Sequence, residues 1–239
     1  MFADRRVLAV VPARGGSTGI KLKNLRPVGG VPLVTRAANV ALALDLIDRA
    51  VLSTDHPEIA QVGARAGLEV PFMRPEALSG PTIGDWDVLI HALHEMERLD
   101  GVSYDIVVML QPTSPSRTPE HVRRTVERLV EGRFDAVWTV SQTDSKGHPL
   151  KQHVIGEGGE LTLYDPAGAA IVARQQLEPV YHRNGIAYAI TRECLVGQKT
   201  IRGKRTGALV IEGPVANIDT ELDLAFADFL LARQGGDGA

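Results

Sequence analysis

The sequence predicts an α/β fold: a mainly parallel sheet with helices packed on both faces. Three observations carry this. Val7 to Val11 (VLAVV) is an unbroken apolar run, as expected of a strand covered on both sides. Tyr104 to Leu110 is a second strong strand of the same kind. Between and after these runs, amphipathic helical segments alternate with short strands, the pattern of crossover-connected parallel strands.

Taken in order, Pro12 is expected to end the first ladder, because proline lacks the N–H a ladder needs. Pro32 suits the first turn of a helix over Leu33 to Leu44, and Ala50 to Ser53 reads as the second strand. Asp55-His56-Pro57-Glu58 has the spacing of a capping box and predicts a short helix to Ala66. Val70 to Met73 reads as a short strand, and a helix over Asp85 to Arg98 leads into Tyr104–Leu110. Thr118-Pro119-Glu120 caps the next helix, whose Val122, Val126, Leu129 and Val130 share a face, before the strand Ala136 to Val140.

The alternation then breaks. Residues 141–183 are polar, with glycines, prolines and only short apolar runs, which predicts an inserted β-rich arm within one domain spanning 1–239. Ile186 to Ile190 and Ala208 to Ile211 return to strand. Leu222, Ala225, Phe226, Phe229 and Leu230 fall at helical spacing after Thr220 and predict an amphipathic helix, and residues 234–239 read as a frayed, disordered tail.

Composition narrows the function. A chain of 239 residues with 44% hydrophobic content is ample for a core, and a net charge of −3 argues against a broad nucleic-acid or anionic-membrane surface. The single cysteine, Cys194, rules out an internal disulfide and suits a reducing compartment. The apolar run after Arg6 is too short for a signal peptide or a membrane span. The expectation is a cytoplasmic protein with no nucleic-acid or membrane partner.

In an open α/β sheet, ligands bind beyond the carboxyl ends of the strands, so polar clusters there carry weight. The first follows Val7–Val11. Gly15, Gly16 and Gly19 let the backbone turn amides toward an anion, and Arg14, Lys21 and Lys23 add cationic donors. The spacing is neither a P-loop nor a dinucleotide fingerprint, and an ordinary βα turn has the same glycines. The second is Gln111-Pro112-Thr113-Ser114-Pro115, amide and hydroxyl donors that serve equally as a ligand contact or a Pro-rich turn. The third is Asn217-Ile218-Asp219. Two oxygen donors at i and i+2 suit a Mg²⁺ shared with phosphates, while Asp219 or Thr220 is also a natural helix cap.

Six segments in order resemble the motif series of the acylneuraminate cytidylyltransferases, also called CMP-sialic acid synthetases. They are Val11–Ser17 (VPARGGS), Ser53-Thr54-Asp55, Leu110–Pro115 (LQPTSP), His148-Pro149-Leu150-Lys151, Asn184-Gly185 and Ile218–Asp223 (IDTELD). The resemblance covers Val7 to Leu230. It implies a Rossmann-like core, CTP as co-substrate, Mg²⁺, and homodimers formed through the arm at 141–183.

Residue by residue, the resemblance implies that Ala13, Arg14, Gly15, Gly16, Ser17, Lys23 and Asn24 hold the CTP phosphates and ribose. Arg74, Thr82 and Asp85 fall on the nucleotide-binding side, Arg74 near the cytosine. Gln111, Thr113 and Ser114 match sugar-contacting positions. Lys151 and Arg174 match cations that grip the sugar carboxylate, partly across the dimer interface, and Tyr188 matches an aromatic wall of that pocket. Arg14, Lys23 and Asp219 are the implied catalytic set, with Asp219 and Asn217 as metal ligands. The implied reaction joins the anomeric hydroxyl of a nine-carbon 2-keto-3-deoxy sugar acid to the α-phosphorus of CTP, releasing pyrophosphate. Another acidic acceptor such as 3-deoxy-octulosonate, or a silent CTP-binding homologue, are the alternatives. Three positions depart from the family. Ser17-Thr18-Gly19 replaces Ser-Lys-Gly, Pro81–Asp85 replaces Asp-Thr-x-x-Ser, and Asn217 replaces an aspartate, which predicts a metal held more weakly or mainly by the nucleotide.

Overall fold

The computed structural model describes residues 1–17 and 19–236. Thr18 and the 237–239 end of the expected tail lie outside the described residues. In chain order the first half contains β1 (Val7–Pro12), β2 (Pro27–Val28), β3 (Val31–Pro32), α1 (Leu33–Leu42), β4 (Arg49–Ser53), α2 (Pro57–Arg65), α3 (Asp85–Asp100) and β5 (Ile106–Met109). There follow α4 (Pro119–Glu131), β6 (Ala136–Gln142), β7 (His153–Ile155), β8 (Leu161–Leu163), β9 (Tyr181–Thr191), α5 (Arg192–Val196), β10 (Thr206–Val210) and α6 (Glu221–Gly236).

The central sheet has six strands in the order β10-β6-β9-β5-β1-β4. β1 runs parallel to β4 and β5, and β10 parallel to β6, while β9 is antiparallel to both its neighbours. The expected α/β class is what the chain adopts. The unbroken apolar run of β1 is explained by its two covered faces. Val7, Ala9 and Val11 pack with α1, α2 and α4, and Leu8 and Val10 pack with α3 and α5. α6 lies at one end, where Leu224, Ala227 and Leu230 cover Ile20, Val28 and Leu33. Within 141–183, β7 and β8 form a separate antiparallel pair whose Val154, Ile155 and Leu161 are exposed.

Pro12 is the last residue of β1, as expected: its pairing with Ser53 closes the ladder to β4, and the ladder to β5 stops at Val10. Three local expectations are corrected. The Asp55 carboxylate does not cap α2; the helix starts after His56 without a side-chain cap, because Asp55 accepts from the Gly15 amide at 2.9 Å. Val70–Met73 forms no strand; pairing is confined to a bridge between Val51 and Glu69. On α6 the buried stripe is Leu224, Ala227 and Leu230, whereas Leu222, Phe226 and Phe229 are exposed. That helix is apolar on most sides, so its periodicity does not fix which side is covered.

Candidate active site

The carboxyl ends of β1, β4 and β5 open into a cavity of about 490 Å³. It is lined by Pro12, Arg14, Ser17, Gly19, Lys23 and Asn24 from the first loop, by Arg74, and by Asp85 and Val88 of α3. Pro81, Ile83, Gln111, Pro112, Thr113 and Asp219 complete it. The first loop is shaped by specific hydrogen bonds. The Gly15 amide is tied to Asp55, the Ser17 amide donates to the Gly15 carbonyl at 3.0 Å, and Asn24 Nδ2 donates to the Arg14 carbonyl at 2.9 Å. Gly19 is required by packing, since a Cβ there would collide with the Asp219 carbonyl oxygen.

Two cations of this loop are aimed across the cavity. Arg14 Nη1 donates to the Gly80 carbonyl at 2.8 Å, and Lys23 Nζ donates to the Ile218 carbonyl at 2.7 Å and to Asp219 Oδ1 at 2.9 Å. Lys23 thus joins the first loop to the segment before α6. Asp219 is open to solvent (73% exposed) at the cavity rim, so it retains free carboxylate capacity.

Arg74 is the third cation and differs in kind. It is 5% exposed, yet among the described residues its Nε and Nη2 have no hydrogen-bond partner. Asp55 is the nearest acid, 3.9 Å from Nη2. Burial pulls the Arg74 pKa down, which Asp55 opposes and Arg14 reinforces. Buried donors of this kind are costly unless a ligand supplies the acceptor. Asp85 faces the same space. Burial pushes its carboxyl up, against the Arg183 guanidinium and a hydrogen bond with Gln111.

A second, wider cavity of about 930 Å³ adjoins this region and is bordered by Ser141, Asp144, Lys146, Arg183, Asn184 and Asn217, among others. Arg183 stacks on the Trp138 ring, 5.1 Å from its centroid.

Of the residues singled out from sequence, the structure brings together Arg14, Ser17, Lys23, Asn24, Arg74, Asp85, Gln111, Thr113 and Asp219 in one cavity. Ala13, Gly15 and Gly16 form the loop path but do not line it. Thr82 is exposed outside it. Ser114 is buried, its Oγ donating to the Asn184 carbonyl at 3.3 Å. Tyr188 is not an open wall: it is 3% exposed, and its hydroxyl accepts from the Gly185 amide at 3.2 Å. Lys151 is exposed in the arm, and Arg174 borders a third cavity there. Asn217 borders the second cavity and Asp219 the first. Among the described residues, no three His, Cys, Asp or Glu side chains gather to hold a metal. Sequence reasoning missed Arg117 and Arg183, because a lone basic residue in a polar segment carries no periodic signal.

An anion-ready loop at the carboxyl edge of a parallel sheet, with three converging cations and an acidic rim, belongs to a nucleotidyltransferase. The sequence matches the family described as Cytidylyltransferase over residues 8–225, and the chain belongs to that family. It is 31% identical over 239 residues to the CMP-N,N'-diacetyllegionaminic acid synthase of Legionella pneumophila, covering 95% of this chain and 96% of that one. It is 26% identical over 225 residues to the pseudaminic acid cytidylyltransferase of Campylobacter jejuni, covering 93% and 95%. Its fold is similar to that of a CMP:2-keto-3-deoxy-manno-octonic acid synthetase complexed with CTP. The TM-score is 0.70 at 18% identity, over 96% of this chain and 99% of that one.

Proposed function

We propose that the chain activates a nine-carbon 2-keto-3-deoxy sugar acid of the sialic, legionaminic or pseudaminic type with CTP, giving the CMP-sugar and pyrophosphate. The observation that carries this reading is the cavity in which Arg14 and Lys23 face a buried Arg74 whose guanidinium lacks an acceptor among the described residues. A nucleoside triphosphate supplies what that arrangement lacks: phosphate oxygens for Arg14 and Lys23, and a carbonyl or hydroxyl acceptor for Arg74. Two relatives carry nine-carbon sugar acids in their names, which supports that acceptor class.

In this reading the triphosphate lies along the first loop, and the acceptor enters from the second cavity. Its anomeric hydroxyl attacks the α-phosphorus, the new O–P bond forms, and the bond to the leaving pyrophosphate breaks. Catalysis is positioning with charge neutralisation. Arg14 and Lys23 bind the β- and γ-phosphates and hold the negative charge that grows on the leaving group. Gln111 and Thr113 orient the acceptor beside the nucleotide. Lys151 and Arg174, both in the arm and lining neither the first nor the second cavity, serve a partner's acceptor carboxylate in a homodimer.

Asp219, whose carboxylate is open at the cavity rim, and Asn217 two residues before it are the side-chain oxygens that would hold a Mg²⁺ beside bound phosphates. Such an ion supplies charge neutralisation of the phosphate oxygens. The eight-carbon 3-deoxy-octulosonate reading has one observation behind it, the fold similarity to the synthetase named above.

The test is pyrophosphate release by purified protein with CTP and Mg²⁺ over a panel of N-acetylneuraminate, diacetyllegionaminate, pseudaminate and 3-deoxy-octulosonate. ATP, GTP and UTP serve as controls. CTP-dependent release with a nine-carbon acid supports the reading. Release with 3-deoxy-octulosonate alone, or with none of the acids, overturns it.

A further inference from the structure

Arg117 follows the Gln111–Pro115 loop, is 6% exposed, and is bonded to chain segments that border both cavities. Among the described residues its guanidinium has no carboxylate partner. It donates instead to three backbone carbonyls: Nη2 to Gln111 and, at 3.1 Å, to Gly185, and Nε to Ile186. Gln111 lines the nucleotide cavity, and Gly185 follows Asn184, which borders the second cavity. The same seam is closed by Ser114 Oγ on the Asn184 carbonyl and by the Ile218 amide on the Thr113 carbonyl at 2.9 Å.

The seam has little slack. Gly185 has φ +75°, and a Cβ on it would lie 2.6 Å from Ser114 Oγ. Burial pulls the Arg117 pKa down to about 9, which leaves it charged at neutral pH. A buried cation without a counter-charge is an expensive way to fill space, and an apolar side chain of similar volume would be the more stable filler. What the guanidinium adds is a planar fork of donors that fixes the relative positions of carbonyls from two loops.

We propose that Arg117 is a positioning residue that clamps the loop after β5 to the Gly185–Ile186 stretch of β9. It thereby sets the distance between the α-phosphorus in the first cavity and an acceptor in the second. This rests on the reading that the second cavity admits the acceptor.

Arg117→Lys keeps the charge and loses the fork, and Arg117→Met loses both. For each, CTP affinity is measured by calorimetry, the acceptor KM and kcat by pyrophosphate release, and backbone protection by amide hydrogen exchange. The expected result for Arg117→Lys is a CTP Kd within about twofold of wild type with kcat/KM for the acceptor down roughly 100-fold, the scale of an ångström-sized misplacement. Exchange should accelerate over 111–117 and 184–186 while β1 and β4 stay protected. Unchanged acceptor kinetics in Arg117→Lys, or a CTP Kd weakened in step with the acceptor term, overturns the proposal. Should Arg117→Met fail to fold, Gly185→Ala disturbs the same seam independently and must give the same split between CTP and acceptor. A wild-type protein that binds CTP yet turns over no acid counts against the proposed function alone. The exchange measurement then decides on Arg117, with unaltered exchange at the two loops refuting the clamp.

Discussion

Replacing Arg74 with methionine should make the empty protein more stable and the nucleotide-bound protein weaker. In the free chain the Arg74 guanidinium is 5% exposed, with Nε and Nη2 unpartnered among the described residues and its nearest acid 3.9 Å away. Leaving buried donors unsatisfied costs about 1–3 kcal/mol, and methionine fills a similar volume without that cost. The loss of the long-range attraction to Asp55 offsets part of the gain. The net expectation is a stabilisation of about 1 kcal/mol, a rise of roughly 2–4 °C in Tm for a chain of this size. A hydrogen bond from a charged group to the bound nucleotide is worth about 1.5–3 kcal/mol, so the CTP Kd should rise roughly 10- to 150-fold. Thermal unfolding with and without CTP, together with calorimetric titration, reads both signs in one preparation. A variant that melts several degrees lower while binding CTP like wild type would show Arg74 to be part of the scaffold, and the reasoning would fail.

Four further outcomes are expected. Gly19→Ala drives a Cβ into the Asp219 carbonyl and should lower turnover at least tenfold while the core stays folded; wild-type kinetics would show that the loop and the 217–220 segment yield freely. Asn217→Asp should reduce the Mg²⁺ concentration needed for half-maximal rate, and an unchanged Mg²⁺ titration removes this residue from the metal's surroundings. Asp85 has a folded pKa above its ordinary 3.8, so the native state binds its proton more tightly and stability falls as pH rises from near 4 through the raised value. Asp85→Asn should flatten that slope in a Tm-against-pH series, and parallel curves would contradict the burial argument. Leu224→Ala, in the buried stripe of α6, should cost about 2–5 kcal/mol, whereas Leu222→Ala on its exposed side should change stability by under about 0.5 kcal/mol. Equal losses would mean that the exposed side is covered in solution.

The strands and the first loop were legible because their signals are local. β1 is apolar on both faces, and cations follow it directly, so both its burial and the anion-ready turn can be read from adjacent residues. What escaped depended on partners far along the chain. Asp55 has capping-box spacing, but a glycine amide 40 positions earlier takes its carboxylate. Val70–Met73 has strand composition, yet only Glu69 meets a neighbouring strand. Tyr188 matches an aromatic-wall position, but the Gly185 amide of its own strand donates to its hydroxyl and its ring is buried. The covered side of α6 is decided by Ile20, Val28 and Leu33, some 200 residues upstream, and the helix's own pattern is apolar enough to suit more than one side. Arg117 is the sharpest case, since its role exists only where two loops meet.

The reversed direction of β9 gives the domain a lever. Strands that run with β1 deliver their last residues to the ligand edge, but β9 delivers its first, Tyr181 to Gly185, directly from the arm. The exposed β7–β8 pair and the Gly185 stretch of β9 are therefore joined by one continuous stretch of chain, whose helical parts are two short 3-10 turns at Pro166–Ala170 and Arg174–Gln176. A displacement of the arm would reach the Asn184–Gly185 edge of the second cavity first, and the Arg117 seam would carry it on to Gln111 in the first. In the proposed reading, the arm and the acceptor side of the site are thus one length of chain, and the Arg117 seam is what couples that length to the nucleotide side.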